Sequence, residues 1–394
     1  MAQSNIELNL ETLLAEEPRA AATRAARQLE WFDRDHHQLV LYGAGMLGRE
    51  VLKRLRQAGI EPVAFADDTP EKQGQVLDEL PIMTPAEIVT KYRAPVFVVT
   101  ILNPMLCFLD AQKRLGKLPA ARTISFLDLA WTFPESFLPY YQFELPQDVL
   151  AKADDIRRAF ELWEDEESRR QFVAHLRFRL NLDYEALPQN SRDDYFPPDI
   201  LTRLPDNTVF VDCGAYDGDT IRTFLAHQQG QFGSIHAFEP DEGNFRKLQD
   251  YVDGLDPQQA GRVSLYNAGV GATRSQISFN ATGNMSASFS AGGAALVDVV
   301  ALQETVAANG APVFLKFDVE GAEWEALKGA EQLLRQARPL LAISVYHRPD
   351  DLWQLPLYVK SLDPGYRFFL RTQGEDGMDV ICYAIPPRFQ ENNN

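Results

Sequence analysis

Short apolar runs alternate along the chain with stretches whose apolar residues have helical spacing. An amino-terminal group contains apolar runs at residues 38–42, 63–66 and 96–101. The carboxyl-terminal group is longer, and its predicted strands cover residues 209–213, 234–238, 263–266, 313–317, 340–345, 366–371 and 380–385. A glycine turn separates the last two runs, which indicates an antiparallel pair. Alternating strands and helices are typical of mainly parallel sheets covered on both faces, so the pattern predicts an α/β fold with two doubly wound, Rossmann-like units.

The stretch between the two groups has a different pattern. Residues 133–146 are rich in proline and aromatic residues, and residues 148–182 have helical periodicity. This composition is typical of a packed connector rather than a flexible linker. We therefore predict an N-terminal Rossmann-like domain over residues 1–130, a helical connector over residues 131–200 and a third, α/β domain over residues 201–394.

A glycine-rich turn follows the first strand of the amino-terminal group. Gly43, Gly45 and Gly48 form a G-x-G-x-x-G between a strand and a helix, and Asp67 ends the next strand. Dinucleotide-binding units place a ribose-binding acid at that position. Residues 67–88 resemble the N-terminal Rossmann-like domains attached to some sugar-modifying enzymes. In the sugar acetyltransferases among them that domain handles a nucleotide-sugar rather than NAD, so the resemblance implies a nucleotide or nucleotide-sugar ligand. A Rossmann-shaped module without a ligand remains the alternative.

The turn after the first strand of the carboxyl-terminal group is acidic. It reads VFVDCGAYDGDT at residues 209–220, and no Lys or Arg appears before Arg222. Carboxylates repel a pyrophosphate but suit a cationic ligand. S-adenosylmethionine carries a sulfonium and an ammonium group and no phosphate, so we predict that this turn binds it. The predicted contacts are Asp212, Gly214, Tyr216, Asp217 and Gly218.

Polar residues also end the following predicted strands. Carboxyl ends of parallel strands meet at one edge of the sheet, where ligands of doubly wound folds bind. Glu239 has two acceptor oxygens for the two ribose hydroxyls, and Asn267 and Ala268 border a flat adenine. These three residues complete the predicted cofactor site.

Three further residues are candidates for catalysis. Asp318 and His347 end adjacent predicted strands and are candidate bases for a hydroxyl proton, and an unperturbed imidazole titrates near neutral pH. Glu320, beside Gly321, is a candidate helper. We predict no metal, although acids at Asp318, Glu320, Asp350 and Asp351 offer an alternative site for a hard cation such as Mg²⁺. Lys316 shares a strand face with Asp318, so we predict a buried ion pair for it.

Several of these segments resemble the FkbM family of S-adenosylmethionine-dependent methyltransferases. They are VFVDCGAYDGDT, HAFEPDEGNF, NAGVG, FLKFDVEGAEWEALKGA and ISVYHRPDDLW. The resemblance spans residues 194–385, and its most specific element is the K-x-D-x-E-G-A-E run at Lys316–Glu323. It implies a class I methyltransferase-type seven-stranded sheet and O-methylation of sugars, polysaccharides or polyketide-type products. The chain departs from the family at Ser344, where many relatives have Glu, and at Thr372, where His is frequent.

Composition narrows the choice of partners and compartment. The formal net charge of -18 disfavours nucleic acid and anionic membranes. Cys107, Cys213 and Cys382 lie far apart in apolar runs, as in reduced cytosolic proteins, and zinc is not expected. The amino terminus lacks the pattern of a secretion signal, and no apolar stretch reaches membrane-spanning length.

The sequence thus predicts a cytoplasmic, S-adenosylmethionine-dependent O-methyltransferase. The expected methyl acceptor is a small molecule or glycan. The methyl group is expected on a hydroxyl of a carbohydrate, glycoconjugate or related natural product. Two alternatives remain open. One is an NAD(P)-dependent oxidoreductase whose cofactor binds at Gly43–Gly48, and the other is a non-catalytic nucleotide-sugar-binding module in glycan assembly.

Overall fold

The computed structural model describes residues 2–33, 35–102, 107–119, 122–191, 195–280, 288–289, 295–307 and 309–389. The chain divides into two compact units that alternate along the sequence. The first unit comprises Met1–Ala153, Arg170–Asn190 and Gly374–Met378, and the second comprises Asp154–Arg169, Ser191–Gln373 and Asp379–Asn394. The three-domain division at residues 130 and 200 stays a prediction.

The first half of the chain contains a six-stranded sheet. Its strands are β1 Gln38–Tyr42, β2 Ala64–Ala66, β3 Val76–Leu77, β4 Leu80–Met83, β5 Pro95–Val99 and β6 Arg122–Ser125. The helices are α1 Ala2–Leu14, α2 Pro18–Ala26, α3 Met46–Gln57, α4 Pro85–Lys91, α5 Phe108–Leu115, α6 Phe126–Thr132, α7 Pro134–Phe137, α8 Pro146–Leu150, α9 Ala153–Phe160 and α10 Glu166–Asn181. The sheet order is β3-β4-β2-β1-β5-β6, and β3 is its antiparallel strand.

Both faces of this first sheet are covered, as the apolar runs predicted. Along β1, Leu39 and Leu41 belong to one buried cluster, whereas Val40 and Tyr42 belong to another. Side chains of a strand alternate between its two faces, so each face packs against its own layer. The doubly wound α/β class is confirmed for this unit.

The turn between the last two strands of the chain contributes to the first unit. Asp376 accepts a hydrogen bond from Phe108 N at the start of α5, with its Oδ2 at 2.8 Å. Gln142 Nε2 donates to Gly377 O at 2.7 Å. Residues separated by more than two hundred positions therefore complete the same compact unit.

The second unit is built on a seven-stranded sheet. Its strands, with those of a smaller sheet, are β7 Val209–Cys213, β8 Ser234–Phe238, β9 Val263–Tyr266, β10 Gly269–Val270, β11 Ser275–Asn280, β12 Ser288–Phe289, β13 Ala295–Val300, β14 Val313–Phe317, β15 Leu340–Ser344, β16 Arg367–Thr372 and β17 Val380–Ile385. The helices are α11 Asp219–His227, α12 Glu242–Asp253, α13 Pro257–Ala260, α14 Leu302–Thr305, α15 Glu323–Gly329, α16 Glu331–Ala337 and α17 Asp351–Leu362.

The strand order of the large sheet is β9-β8-β7-β14-β15-β17-β16. Strands β7, β8, β9, β14 and β15 are parallel, and β17 pairs antiparallel with both β15 and β16. This arrangement confirms the predicted seven-stranded sheet with an antiparallel final pair. The order reverses at β7 and β14, and a crevice for ligands lies beyond the strand ends at such a switch point.

The sequence pattern did not predict a smaller sheet between β9 and β14. Its order is β10-β13-β11-β12, and β11 pairs antiparallel with β13. Among the described residues, no helix combines the length and the apolar character needed to cross a membrane.

Candidate functional site

The turn after β7 can form only with glycine at two positions. Gly214 has a φ of +85°, and a Cβ there would lie 1.8 Å from the backbone oxygen of Asp318. Gly218 has a φ of +87°, and a Cβ there would lie 2.6 Å from Tyr251 Cδ1. Side chains are strained at such φ values, and glycine alone permits this approach of backbones. The turn therefore lies directly against the carboxyl end of β14.

A buried ion pair lies beneath this turn. Lys316 Nζ donates to Asp212 Oδ1 at 2.9 Å and to Gly214 O at 2.7 Å. Burial raises the pKa of Asp212 to about 6, against the opposing effect of Lys316. Burial alone would lower the pKa of Lys316, but the nearby aspartates raise it above its usual value. The ion pair predicted for Lys316 is confirmed, and it fixes the glycine turn.

Glu239 lies at the end of β8 beside the same turn. Its Oε2 accepts a hydrogen bond from Tyr216 N at 2.9 Å, and its Oε1 accepts one from Asp241 N at 2.8 Å. The side chain is buried, and burial raises its pKa to about 7. A carboxylate oxygen has two lone pairs, so each oxygen retains capacity for a second donor.

The other predicted cofactor contacts surround Glu239 in different ways. Asn267 Nδ2 donates to Glu239 O at 2.9 Å, and Ala268 is buried. Asp217 Oδ1 instead accepts a hydrogen bond from Arg222 Nη2 at 2.5 Å. The charge of Arg222, on the following helix α11, therefore partly neutralises the carboxylate of Asp217.

Asp318 lies at the end of β14 and is held by two hydroxyl groups. Its Oδ1 accepts from Ser344 Oγ and its Oδ2 from Tyr195 Oη, both at 2.8 Å. Its side chain is 27% exposed, so it stays accessible from the crevice. Burial alone would raise its pKa, but Lys316, His347 and the two hydroxyl donors hold it below its usual value.

His347 lies among carboxylates at the end of β15. Its Nδ1 is 2.8 Å from Glu323 Oε1, and its Nε2 is 3.6 Å from Asp318 Oδ1 and 3.7 Å from Glu320 Oε2. Burial opposes protonation, but the three carboxylates raise the pKa of His347 to about 10. The expectation that His347 titrates near neutral pH is therefore wrong. Burial raises the pKa of Glu320 to about 7, against the opposing effect of His347.

Residues 212–375 match the family model of the methyltransferase FkbM domain. This part of the chain is an FkbM methyltransferase domain. The predicted resemblance is confirmed, and the family indicates a methyltransferase. The matched residues include the turn after β7, Glu239, Asp318 and His347.

A solved structure shares the fold. The methyltransferase FkbM from Methylobacillus flagellatus KT is 24% identical and aligns over 98% of this chain and 99% of that chain, with a TM-score of 0.75. Precorrin-6y C5,15-methyltransferase from Geobacter metallireducens GS-15 is 15% identical and aligns over 46% of this chain and 82% of that chain. The TM-score of this alignment is 0.28. No curated protein matches the chain.

Two further residues of the site, Glu323 and Tyr195, were missed by sequence reasoning. Glu323 is the last residue of the K-x-D-x-E-G-A-E run, and this position in the motif could have identified it as a site residue. Tyr195 is followed by Phe196 in an aromatic segment, and such segments usually pack against a sheet. The acids predicted as an alternative cation site were Asp318, Glu320, Asp350 and Asp351. Of these, Asp351 Oδ2 accepts a hydrogen bond from Arg348 N at 2.9 Å. Asp318, Glu323 and His347 come together instead.

The glycine turn of the first unit is anchored by Asp67. This carboxylate accepts hydrogen bonds from Ala44 N at 2.8 Å, Thr69 N at 2.9 Å and Lys72 Nζ at 2.9 Å. Burial opposes ionisation, but these donors lower the pKa of Asp67 to about 2. Asp67 thus joins the turn to the end of β2, and these donors use much of the acceptor capacity that a ribose would need.

The glycines of this turn differ in their surroundings. A Cβ at Gly48 would lie 2.0 Å from the backbone oxygen of Gly43, which itself has a φ of +114°. A Cβ at Gly45 would meet nothing within 4 Å. Gly43 and Gly48 are therefore required by packing, whereas Gly45 borders open space beside the first turn of α3.

Proposed function

We propose that the FkbM domain is an S-adenosylmethionine-dependent O-methyltransferase for a hydroxyl of a carbohydrate, glycoconjugate or related natural product. The position of Glu239 is the observation that best supports this proposal. Its buried carboxyl contacts the backbone of the glycine turn after β7, so an acceptor for ribose hydroxyls borders a turn that suits a positively charged ligand.

The residues present fit this cofactor. The turn supplies close backbone approach at Gly214, and Asp212 Oδ2 is a buried acceptor without a hydrogen-bond partner among the described residues. We propose that the cofactor contacts are Asp212, Gly214, Tyr216, Asp217, Gly218, Glu239, Asn267 and Ala268. When bound, S-adenosylmethionine supplies an already activated methyl group.

We propose that Asp318 orients the acceptor hydroxyl and accepts its proton. Tyr195 and Ser344 fix both carboxylate oxygens, and their geometry supports a single orientation of the group. Alignment of the hydroxyl and removal of its proton are what methyl transfer requires from the protein. His347 and Glu320 belong to the same proposed catalytic set, in which a protonated His347 offsets the charge of the acids.

Calorimetry with S-adenosylmethionine and its demethylated product tests the cofactor proposal. Glu239→Ala removes the ribose acceptors and is expected to weaken binding by about 1.5–3 kcal/mol. Glu242→Ala, at an exposed position of α12, is the matched control and should bind as the wild type does. Unchanged affinity in Glu239→Ala, or tighter binding of NAD at this domain, would contradict the proposal.

The hydroxyl acceptor is tested separately with radiolabelled methyl donor. Glycans and hydroxylated natural products are incubated with the enzyme, and the labelled product is digested to locate the methyl group. An O-methyl ether is the expected product. Label found only on nitrogen or carbon would contradict the O-methyltransferase proposal while leaving the cofactor proposal standing.

For the first unit we propose a nucleotide or nucleotide-sugar at Gly43, Gly45 and Gly48, with Asp67 holding the turn in place. The open space at Gly45 favours this ligand, since a pyrophosphate needs close backbone approach there. Gly45→Val should abolish binding of the nucleotide in the full chain and leave S-adenosylmethionine binding intact. A nucleotide panel without any ligand for the first unit would support the purely structural alternative.

A further inference from the structure

We propose that Glu323 is a positioning residue for methyl transfer, which holds His347 as a charged donor with Nε2 directed toward the catalytic carboxylates. This role rests on the proposed function, since it extends the proposed catalytic set. Glu323 Oε1 is 2.8 Å from His347 Nδ1. A hydrogen bond at one ring nitrogen of histidine sets the proton and the direction of the other nitrogen. This contact therefore decides what His347 presents to the crevice.

Glu323 is itself fixed in place. It is the first residue of α15, and its side chain is 1% exposed. The same Oε1 accepts a hydrogen bond at 2.9 Å from Val319 N, in the loop after β14. A side chain that is buried and bonded to backbone has little freedom to rotate. The carboxylate of Glu323 therefore joins the loop after β14 to the ring of His347.

The second ring nitrogen of His347 lies between two acids. Its Nε2 is 3.6 Å from Asp318 Oδ1 and 3.7 Å from Glu320 Oε2. Both distances exceed the 2.7–3.2 Å of an ordinary hydrogen bond, but charges this close still interact strongly. The side chains of Asp318 and Glu320 are 27% and 26% exposed, whereas that of His347 is 1% exposed. His347 thus faces both acids from the protein side and leaves their exposed side to the acceptor.

The charge on His347 depends chiefly on Glu323. Burial lowers the pKa of His347, but Glu323 raises it more than Glu320 or Asp318 does, and the pKa is about 10. Glu323 Oε2 is buried and has no hydrogen-bond partner among the described residues. Solvent therefore screens this carboxylate little, and its charge acts on the adjacent imidazole at full strength.

Three other groups border His347, and none of them replaces Glu323. Asp351, at the start of α17, is buried, and burial raises its pKa above the usual range. The ring centroid of Tyr346 is 4.2 Å from that of His347, and burial raises the pKa of this phenol as well. Arg348 is exposed and carries the same charge as an imidazolium. A neutral phenol, a cation and an acid with a raised pKa stabilise an imidazolium less than the carboxylate in direct contact.

His347 in turn acts on the proposed base. Burial alone would raise the pKa of Asp318, but Lys316 and His347 lower it. A charged His347 therefore helps to keep Asp318 ionised and able to accept the hydroxyl proton. Because Glu323 is buried, it acts on the acceptor only through His347.

Nuclear magnetic resonance of the full-length protein with 15N-labelled histidine rings tests the charge on His347 without any methyl transfer. The ring signals distinguish an imidazolium from the two neutral tautomers, and the His347 signal is identified by its absence in His347→Gln. Wild-type His347 should stay in the imidazolium form from pH 6 to pH 8, because its pKa is about 10. Glu323→Gln keeps an oxygen for Val319 N but removes the charge, so the midpoint of the His347 titration should fall by about 1–3 pH units.

Turnover with the acceptor found in the radiolabel assay is the second measurement. Glu323→Gln should lower kcat by about tenfold or more at pH 9 and by less at pH 6.5. The sign follows from the lowered pKa of His347, because the variant loses the required proton as the pH rises, whereas the wild type still holds it. The KM of the acceptor and the affinity for S-adenosylmethionine should stay unchanged, since the buried Glu323 contacts neither ligand.

Glu325→Gln is the matched control, because Glu325 lies two positions later in α15 but is exposed and paired with Lys328 at 3.0 Å. It should keep the kcat and the His347 titration of the wild type. Circular dichroism confirms folding, and the wild-type ring signals alone test the charge on His347 if Glu323→Gln does not fold.

Three results would overturn the role of Glu323. They are a neutral His347 in the wild type at pH 8, a folded Glu323→Gln with the titration of the wild type, and equal losses of kcat at pH 6.5 and pH 9. The last result is the one expected from a purely structural contact. Wild type that methylates no hydroxyl would contradict the proposed function instead, and the ring signals would still test the contact between Glu323 and His347.

Discussion

Lys316→Met tests whether the buried ion pair stabilises the FkbM domain at the glycine turn after β7. Methionine keeps much of the length of lysine but removes the donor to Asp212 Oδ1 and Gly214 O. Asp212 has no solvent exposure, and its Oδ2 has no hydrogen-bond partner among the described residues. The variant thus leaves a carboxyl buried with neither oxygen paired to a cation.

The expected loss follows from that geometry. Removing one member of a buried ion pair typically costs about 3–5 kcal/mol, because the remaining charge is left uncompensated. Asp212→Asn in the same background removes that charge. The double variant should therefore be more stable than the sum of the single losses predicts, by about 1–3 kcal/mol, as expected for residues in direct contact.

Urea unfolding, followed by circular dichroism and tryptophan fluorescence, measures these free energies. Lys328→Met, on the exposed side of α15, is the control and should stay within about 0.5 kcal/mol of wild type. Two results would refute the reasoning. One is a loss below about 1 kcal/mol in Lys316→Met, well under the range for a broken buried pair. The other is strict additivity in the double variant.

Three further predictions concern other parts of the chain. Gly214→Ala should destabilise the protein in urea unfolding and weaken cofactor binding, because its Cβ would lie 1.8 Å from a backbone oxygen. Gly45→Ala is the control and should leave the free energy of unfolding nearly unchanged, because a Cβ there meets open space. Burial lowers the pKa of His175 to about 3, so its stabilising contribution is complete above pH 6.5 and is lost as the pH falls towards 3. Wild type should therefore lose about 2 kcal/mol more than His175→Leu between pH 7 and pH 5, and equal losses would contradict this. Tyr195→Phe removes a hydrogen-bond donor to Asp318 and should lower kcat by about tenfold or more while leaving cofactor affinity unchanged. A parallel loss of kcat and cofactor affinity would indicate a purely structural role for Tyr195.

The sheets were predictable because buried parallel strands appear in the sequence as continuous apolar runs. The same logic brought the ends of β7, β8, β14 and β15 to one edge, since parallel strands align their carboxyl ends. The smaller sheet was missed because its strands are short or only partly apolar. Residues 275–280, for example, read SQISFN and lack a strong pattern.

The properties of individual site residues were less predictable, because they depend on contacts between distant elements. The pKa of His347 is set by Glu323 at the start of α15 and by Asp318 and Glu320 after β14. A strand-end histidine alone gives no sign of that environment. Asp67 is a local counterpart: Lys72, five positions later, donates a hydrogen bond to its carboxylate, and the sequence pattern did not predict this contact.

The contribution of Gly374–Met378 to the first unit has a consequence for synthesis of the protein. A ribosome makes those residues more than two hundred positions after Phe108 and Gln142, yet they supply the Asp376 partner of Phe108 and the Gly377 partner of Gln142. Domains made first usually fold first during translation. Here the amino-terminal unit lacks these two hydrogen bonds until the chain has been extended past residue 378.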